Sequence, residues 1–222
     1  MTASLECLEI ETSTDPHFSV VWLHGLGADG NDFAPIVPQL NLGNKGVRFV
    51  FPHAPVQPVT INGGMPMRSW YDIYMADLVR HEDETGLRHS QSAVQELIAR
   101  ENARGISTER IVLAGFSQGC AMTLQTGLRL EESLAGMVCL SGYLPLANKL
   151  INERHKANQD TPIFMAHGTQ DPIVPFERAE ASRQLLEELG YNVRWHTYAM
   201  GHAVTPTEIR DIANFLNEVL TF

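Results

Sequence analysis

Six short segments rich in β-branched and aromatic residues recur along the 222 residues, at positions 18–23, 47–51, 111–114, 137–140, 163–166 and 193–198. Segments of this length and make-up look like short buried strands. Between them lie stretches with helical spacing, such as Val94, Leu97 and Ile98, and near the end of the chain Ile209, Ile212, Phe215, Leu216 and Val219. Each offers one apolar stripe to a sheet. Strands that alternate with helices specify an α/β architecture, with a mostly parallel sheet covered on both faces. The chain is long enough for one such core, and no linker, repeat or low-complexity stretch divides it, so residues 1–222 are expected to form one domain. Residues 5–10 suggest an added edge strand. Residues 52–67, with their prolines and Gly63-Gly64, read as a long connection that shapes a site.

Charge and cysteine usage narrow the function classes. Sixteen Lys and Arg stand against 26 Asp and Glu, a formal charge of −10, and no basic run offers a stripe for phosphates. Nucleic acid is therefore not an expected partner. The first residues lack a basic stretch followed by an apolar one, and no apolar run reaches membrane-spanning length, so a soluble, cytoplasmic protein without membrane insertion is expected. Cys7, Cys120 and Cys139 lack C-x-x-C spacing. They suit neither a zinc knuckle nor a redox pair and read as reduced thiols, with no metal site implied.

In a parallel sheet ligands bind beyond the carboxyl ends of the strands. The residues found there include His24-Gly25-Leu26-Gly27, Gly115-Phe116-Ser117-Gln118-Gly119, His167-Gly168-Thr169-Gln170-Asp171 and Gly201-His202. The second group is G-x-S-x-G, preceded by the apolar run 111–114 and followed by Ala121, Leu124 and Leu128 at helical spacing. A serine on so tight a strand-to-helix turn is lifted clear of the backbone, where the helix N-terminus favours developing negative charge. A serine that merely caps a helix is the competing reading, but the flanking strand and helix favour a nucleophile.

A serine hydroxyl needs an imidazole to take its proton. With the chain order serine, acid, histidine, and Asp171 in the turn after the fifth strand as the acid, the base is His196 or His202. His196 falls within the last strand, whereas His202 follows Gly201 on a loop, so His202 is the expected base. Asp171 would accept the second imidazole proton. His17, His81, His89 and His155 lie in polar surroundings and read as surface residues, and His167 as a support for the acid's loop. An oxyanion needs two fixed donors, here the N–H of Gln118 and that of Leu26 between its two glycines.

The loop Gly25-Leu26-Gly27-Ala28-Asp29-Gly30 also matches the dinucleotide fingerprint G-x-G-x-x-G. That mechanism requires an acidic residue about twenty positions on, and none occurs between Asp32 and Asp72. A dinucleotide-dependent enzyme is thus the weaker reading, as is an inactive hydrolase-like binding protein, which would leave the nucleophile unused.

Taken with Ser69-Trp70-Tyr71-Asp72, these motifs give the chain a specific look: Trp22 to Gly30, Ala114 to Gly119, His167 to Asp171 and Gly201-His202. It resembles the small carboxylesterase and acyl-protein thioesterase family of the α/β-hydrolase fold, over nearly its whole length. The resemblance implies a cofactor-free serine hydrolase of short- to medium-chain esters or thioesters. It implies Ser117, Asp171 and His202 as the triad and the Leu26 and Gln118 amides as the oxyanion hole. Small-molecule esters and acylated proteins are both substrates within the family, and its members often act as homodimers. Cys120 departs from the pattern, since the family usually carries a second glycine there. Only 22 residues, 141–162, separate the fourth and fifth strands, too few for a cap domain. An open, shallow pocket with apolar walls such as Leu26 and Trp70 is therefore expected.

Overall fold

The computed structural model describes residues 5–75 and 82–221. In chain order the elements are β1 (Cys7–Glu11), β2 (Phe18–Leu23), α1 (Val37–Leu40), β3 (Val47–Pro52), β4 (Val56–Val59), β5 (Met65–Arg68), α2 (Glu84–Ala103), β6 (Ile111–Phe116), α3 (Gln118–Gly127), β7 (Gly136–Leu140), α4 (Ala147–Glu153), β8 (Ile163–Gly168), α5 (Phe176–Glu188), β9 (Val193–Tyr198) and α6 (Pro206–Val219). Seven strands form one sheet in the order β1-β3-β2-β6-β7-β8-β9. All neighbours are parallel except β1, which runs antiparallel along β3 with Leu8 opposite Phe51. The expected α/β sheet is present, each of the six expected strands included.

Alternate residues of the buried strands serve two cores. Val21, Leu23, Leu113 and Met165 pack on one face with Leu87, Val94 and Leu97 of α2 and Leu124 of α3. Val20, Trp22, Val112 and Phe164 pack on the other with Ile209, Ile212, Phe215 and Leu216 of α6. Each of these large side chains contributes roughly 1.5–3 kcal/mol by leaving water, so both faces need their helices. The start of α6 is set locally. Thr205 accepts the Glu208 N–H, the Glu208 carboxylate accepts the Thr205 N–H, and Pro206 supplies a preset φ in the first turn.

The connection 52–67 is more ordered than its composition suggests. It carries β4 and β5 as an antiparallel ribbon with Pro58 opposite Pro66, turning through Gly63 (φ 68°) and Gly64 (φ 76°). Prolines argued against strands here, yet both edges of a two-stranded ribbon are free, and proline is tolerated on edges. Between β7 and β8 lie the seven-residue α4 and a three-residue 3-10 turn, with no cap domain. The glycine loop after β2 does not open a helix. It runs on to the one-turn α1, and Gly30 is required because a Cβ there would lie 2.4 Å from the Phe51 carbonyl oxygen. A dinucleotide site would need a helix N-terminus aimed at this loop.

Candidate active site

Ser117 stands between β6 and α3 with φ 56° and ψ −115°, a conformation that costs a non-glycine residue about 1–3 kcal/mol. Its surroundings leave no alternative. The Ser117 N–H donates to the Leu140 carbonyl at 2.8 Å. A Cβ on Gly115 would lie 2.2 Å from the Gly119 oxygen, and one on Gly119 would lie 2.1 Å from the Leu23 oxygen. The two motif glycines thus exist because α3 must cross β6 and β2 at backbone contact. The turn leaves Ser117 half-buried at the head of a helix whose first N–H groups have no intrahelical acceptor.

The residues after β8 and β9 are brought together by a similar close approach. A Cβ on Gly168 would lie 2.4 Å from both the Met200 and Gly201 oxygens, and Gln170 N–H donates to Met200 O at 3.1 Å. This sets His202 beside Asp171, with His202 Nδ1 2.7 Å from Asp171 Oδ2. The other carboxylate oxygen accepts the N–H groups of Ile173 at 2.8 Å and Val174 at 2.9 Å. Asp171 is therefore oriented by the turn it begins, and its side chain is fully buried. The His202 ring lies 4.7 Å from that of Phe116, the residue before Ser117. His196, by contrast, stacks on Phe164 at 4.7 Å within the sheet and does not approach the acid.

Two further histidines support the site. His167 is buried with Nε2 2.9 Å from the Val174 oxygen and 3.5 Å from Asp171 Oδ2. Burial holds its pKa below the usual imidazole value, so it stays neutral beside the acid, in the supporting position expected for it. His24 accepts the Ala54 N–H at Nε2 and is bonded through Nδ1 to the Gly25 oxygen. Burial lowers its pKa as well. His17 and His89 are exposed, and His81 lies outside the described residues. His155 is half-buried and accepts the Ala157 N–H at the head of a 3-10 turn, so it is a cap rather than a solvated surface group.

Leu26, Ser117 and Gln118 line one cleft of about 350 Å³, together with Tyr71, Tyr143 and Val174. Among the described residues, the amides of Gly27 and Ala28 are engaged by Arg68 O and Gly25 O, whereas none accepts from Leu26 N–H. The inner end carries Tyr71 and Tyr143, whose hydroxyls lie 2.9 Å apart. Burial raises both phenols, Tyr143 to about 12, so the floor is neutral. The mouth carries exposed Ile61 and Ile173.

Trp70 was expected in this wall and is not there. Its side chain is 1 % exposed and points behind the loop, donating Nε1–H to the His24 oxygen at 2.9 Å. An indole combines large apolar area with a single N–H, and both are satisfied there, leaving the wall to its neighbour Tyr71. Cys120 is also explained. It is fully buried, and the space it takes is open because residue 142 is glycine, where a Cβ would lie 2.5 Å from Cys120 Cβ.

Residues 5–220 match the model of the phospholipase/carboxylesterase family. The chain belongs to that family. It is an ester-hydrolysing enzyme, a serine hydrolase of the α/β-hydrolase fold. Relatives include acyl-protein thioesterase 1 of Neurospora crassa, 43 % identical over 91 % of this chain and 86 % of that one. The protein of the same name from Yarrowia lipolytica is 40 % identical over 90 % and 91 %. Among solved structures, Arabidopsis thaliana SOBER1 superposes with a TM-score of 0.87 at 32 % identity, covering 92 % of this hydrolase and 99 % of that chain. Zea mays acyl-protein thioesterase 2 does so at 0.87 and 27 % identity, covering 97 % and 99 %.

Proposed function

We propose that this family member hydrolyses short- to medium-chain acyl esters and the acyl thioesters of protein cysteines through an acyl-enzyme on Ser117. The observation that carries the reading is the strained Ser117 turn beside a histidine already bonded to a buried carboxylate. His202 takes the Ser117 proton as Oγ attacks the carbonyl carbon. Asp171, held by the Ile173 and Val174 amides, fixes the imidazole tautomer and steadies the imidazolium. The Leu26 and Gln118 N–H groups donate to the oxyanion. The proton on His202 then passes to the departing alcohol or thiol, and water enters by the same base to release the acid.

The protein-thioester part rests on the names of the relatives and on the lack of a cap between β7 and β8, which leaves room for a cysteine carried by a protein. The chain-length part rests on the Tyr71–Tyr143 floor. Each methylene buried in the cleft gains at most ~0.8 kcal/mol, so preference should rise over the first carbons and level off at the tyrosines. One continuous sheet supports reading residues 1–222 as one domain, and three unpaired cysteines suit a reducing, cytoplasmic setting. Among the described residues no helix is long and apolar enough to cross a membrane.

The test pairs fluorophosphonate labelling with a substrate panel. Wild type should label at Ser117, and Ser117→Ala should neither label nor retain more than about a millionth of the rate. Matched oxygen esters, thioesters and an S-acylated peptide of increasing chain length then rank the substrates. An unlabelled wild type, or a mutant with several per cent of the activity, would exclude the serine mechanism.

A further inference from the structure

The two N–H groups read above as oxyanion donors come from distant parts of the chain, Leu26 after β2 and Gln118 at the head of α3. A donor pair works only if its spacing is fixed to within about half an ångström. The structure assigns that task to the side chain of Gln118, acting through residues 68–71. This inference rests on the serine-hydrolase reading of the site and adds positioning groups to it.

The bridge has two halves. On one side, the loop carrying Leu26 is tied at both ends to the 68–71 segment. Gly27 N–H donates to the Arg68 oxygen at 2.9 Å, and Trp70 Nε1–H donates to the His24 oxygen at 2.9 Å. On the other side, the Gln118 carboxamide grips the same segment. Its Oε1 accepts the Trp70 N–H at 2.8 Å, and its Nε2–H donates to the Tyr71 oxygen at 2.7 Å. The residue that offers one donor through its backbone therefore holds, through its side chain, the segment that holds the other.

The orientation of the amide is dictated by its partners. A backbone N–H can only donate and a carbonyl can only accept, so a flipped amide loses both contacts and a carboxylate in its place loses one. Ser69 and Ser90 complete the frame. Ser69 Oγ lies 3.2 Å from Gln118 Nε2 and donates to the Tyr71 oxygen at 2.5 Å, while Ser90 Oγ donates to the Trp70 oxygen. His24, Ser69, Trp70, Tyr71 and Gln118 are all buried. In such surroundings a lost partner is not replaced by bulk water. The burial of Trp70 behind the loop follows from this role.

Gln118→Leu removes both contacts, Gln118→Glu keeps the acceptor and loses the donor, and Trp70→Phe keeps an aromatic ring and releases the His24 oxygen. For each, kcat and KM are measured on a soluble ester, with active sites counted by complete fluorophosphonate labelling. The inhibition constant of an alkylboronic acid is measured alongside, since its tetrahedral adduct on Ser117 places an oxygen at the donors. A misplaced donor costs about 10–100-fold in rate, so Gln118→Leu should lose about that in kcat with KM nearly unchanged, and boronate affinity should fall in parallel. Gln118→Glu should lose less, and Trp70→Phe least, because the Gly27–Arg68 tie remains. A merely structural role would lower thermal stability and leave both the per-site kcat and boronate affinity in place, and that result overturns the inference. If Gln118→Leu does not fold, unchanged boronate affinity in Gln118→Glu overturns it equally. A wild type that never labels overturns the serine mechanism and this frame together, whereas normal labelling with unaltered kcat in the variants overturns the frame alone.

Discussion

Placing one methyl group on Gly142 should damage this enzyme through its neighbour Cys120, and removing Cys120 should cost less in that variant than in wild type. A Cβ at residue 142 would lie 2.5 Å from Cys120 Cβ, 2.6 Å from its sulfur and 2.7 Å from the Ser117 oxygen. Comfortable contacts between such atoms are about 3.5–4.0 Å, so the chain must yield by roughly an ångström next to the serine turn. Overpacking of this kind costs about 1–3 kcal/mol, and with backbone and a Cβ among the obstacles the upper end is expected. For a chain of this size, Gly142→Ala should lower Tm by ~6–12 °C, at ~2–4 °C per kcal/mol. Cys120→Gly alone should cost about 2 kcal/mol, about half from glycine inside a helix and half from the vacated thiol volume. Because the substitution deletes two of the three obstacles, the double variant should be less destabilised than the sum of the singles by ~1–2 kcal/mol. Denaturant unfolding of the four proteins closes the cycle. Additivity within ~0.5 kcal/mol, or a Gly142→Ala protein as stable as wild type, would refute the view that the cysteine is accommodated by the glycine.

Asp171→Asn should keep the geometry and lose ~10⁴-fold in kcat, because the amide can hold the imidazole in the wrong tautomer; a near-normal rate would mean that another carboxylate serves. His202→Ala should be as severe as loss of the serine, while His196→Ala, which unstacks Phe164, should retain most of the activity; the reverse ranking in one ester assay would displace His202. Glu208 is buried and its carboxyl is pushed up to about 7 by that burial, with Asp211 nearby adding to the effect. The folded state therefore holds an extra proton between roughly pH 4.5 and 7, and stability falls as pH rises through that window, by ~3 kcal/mol at most. Glu208→Gln cannot ionise, so its Tm relative to wild type should climb between pH 4.5 and pH 8; a constant difference would show that Glu208 ionises normally in the fold.

Much of this architecture is legible in the sequence because local chemistry and tertiary structure agree. Five of the six apolar runs are fully or almost fully buried strands and the sixth, β9, is a half-buried edge strand, and G-x-S-x-G announces itself because steric crowding forbids a side chain on either side of the turn. Chain order with Asp171 pointed to His202 over His196, and the structure brings that pair together. The β4–β5 ribbon was not legible, as its prolines argue against strands and only a free edge excuses them.

Side-chain direction on loops was the other thing hidden from the sequence. Trp70 and Tyr71 are adjacent large aromatics, and no periodicity tells which one faces the cleft where the chain is neither helix nor strand. The pattern could not show that the tyrosine at 143 would meet Tyr71, or that Cys120 would find room above a glycine 22 positions away. The sequence alone determined the element order and the residues able to carry the chemistry, because strand burial, tight turns and helix starts are short-range demands on residue type. Which side chains wall the cleft, and which hold its donors in place, was decided only by tertiary structure, since those contacts join segments whose separation along the chain carries no signal.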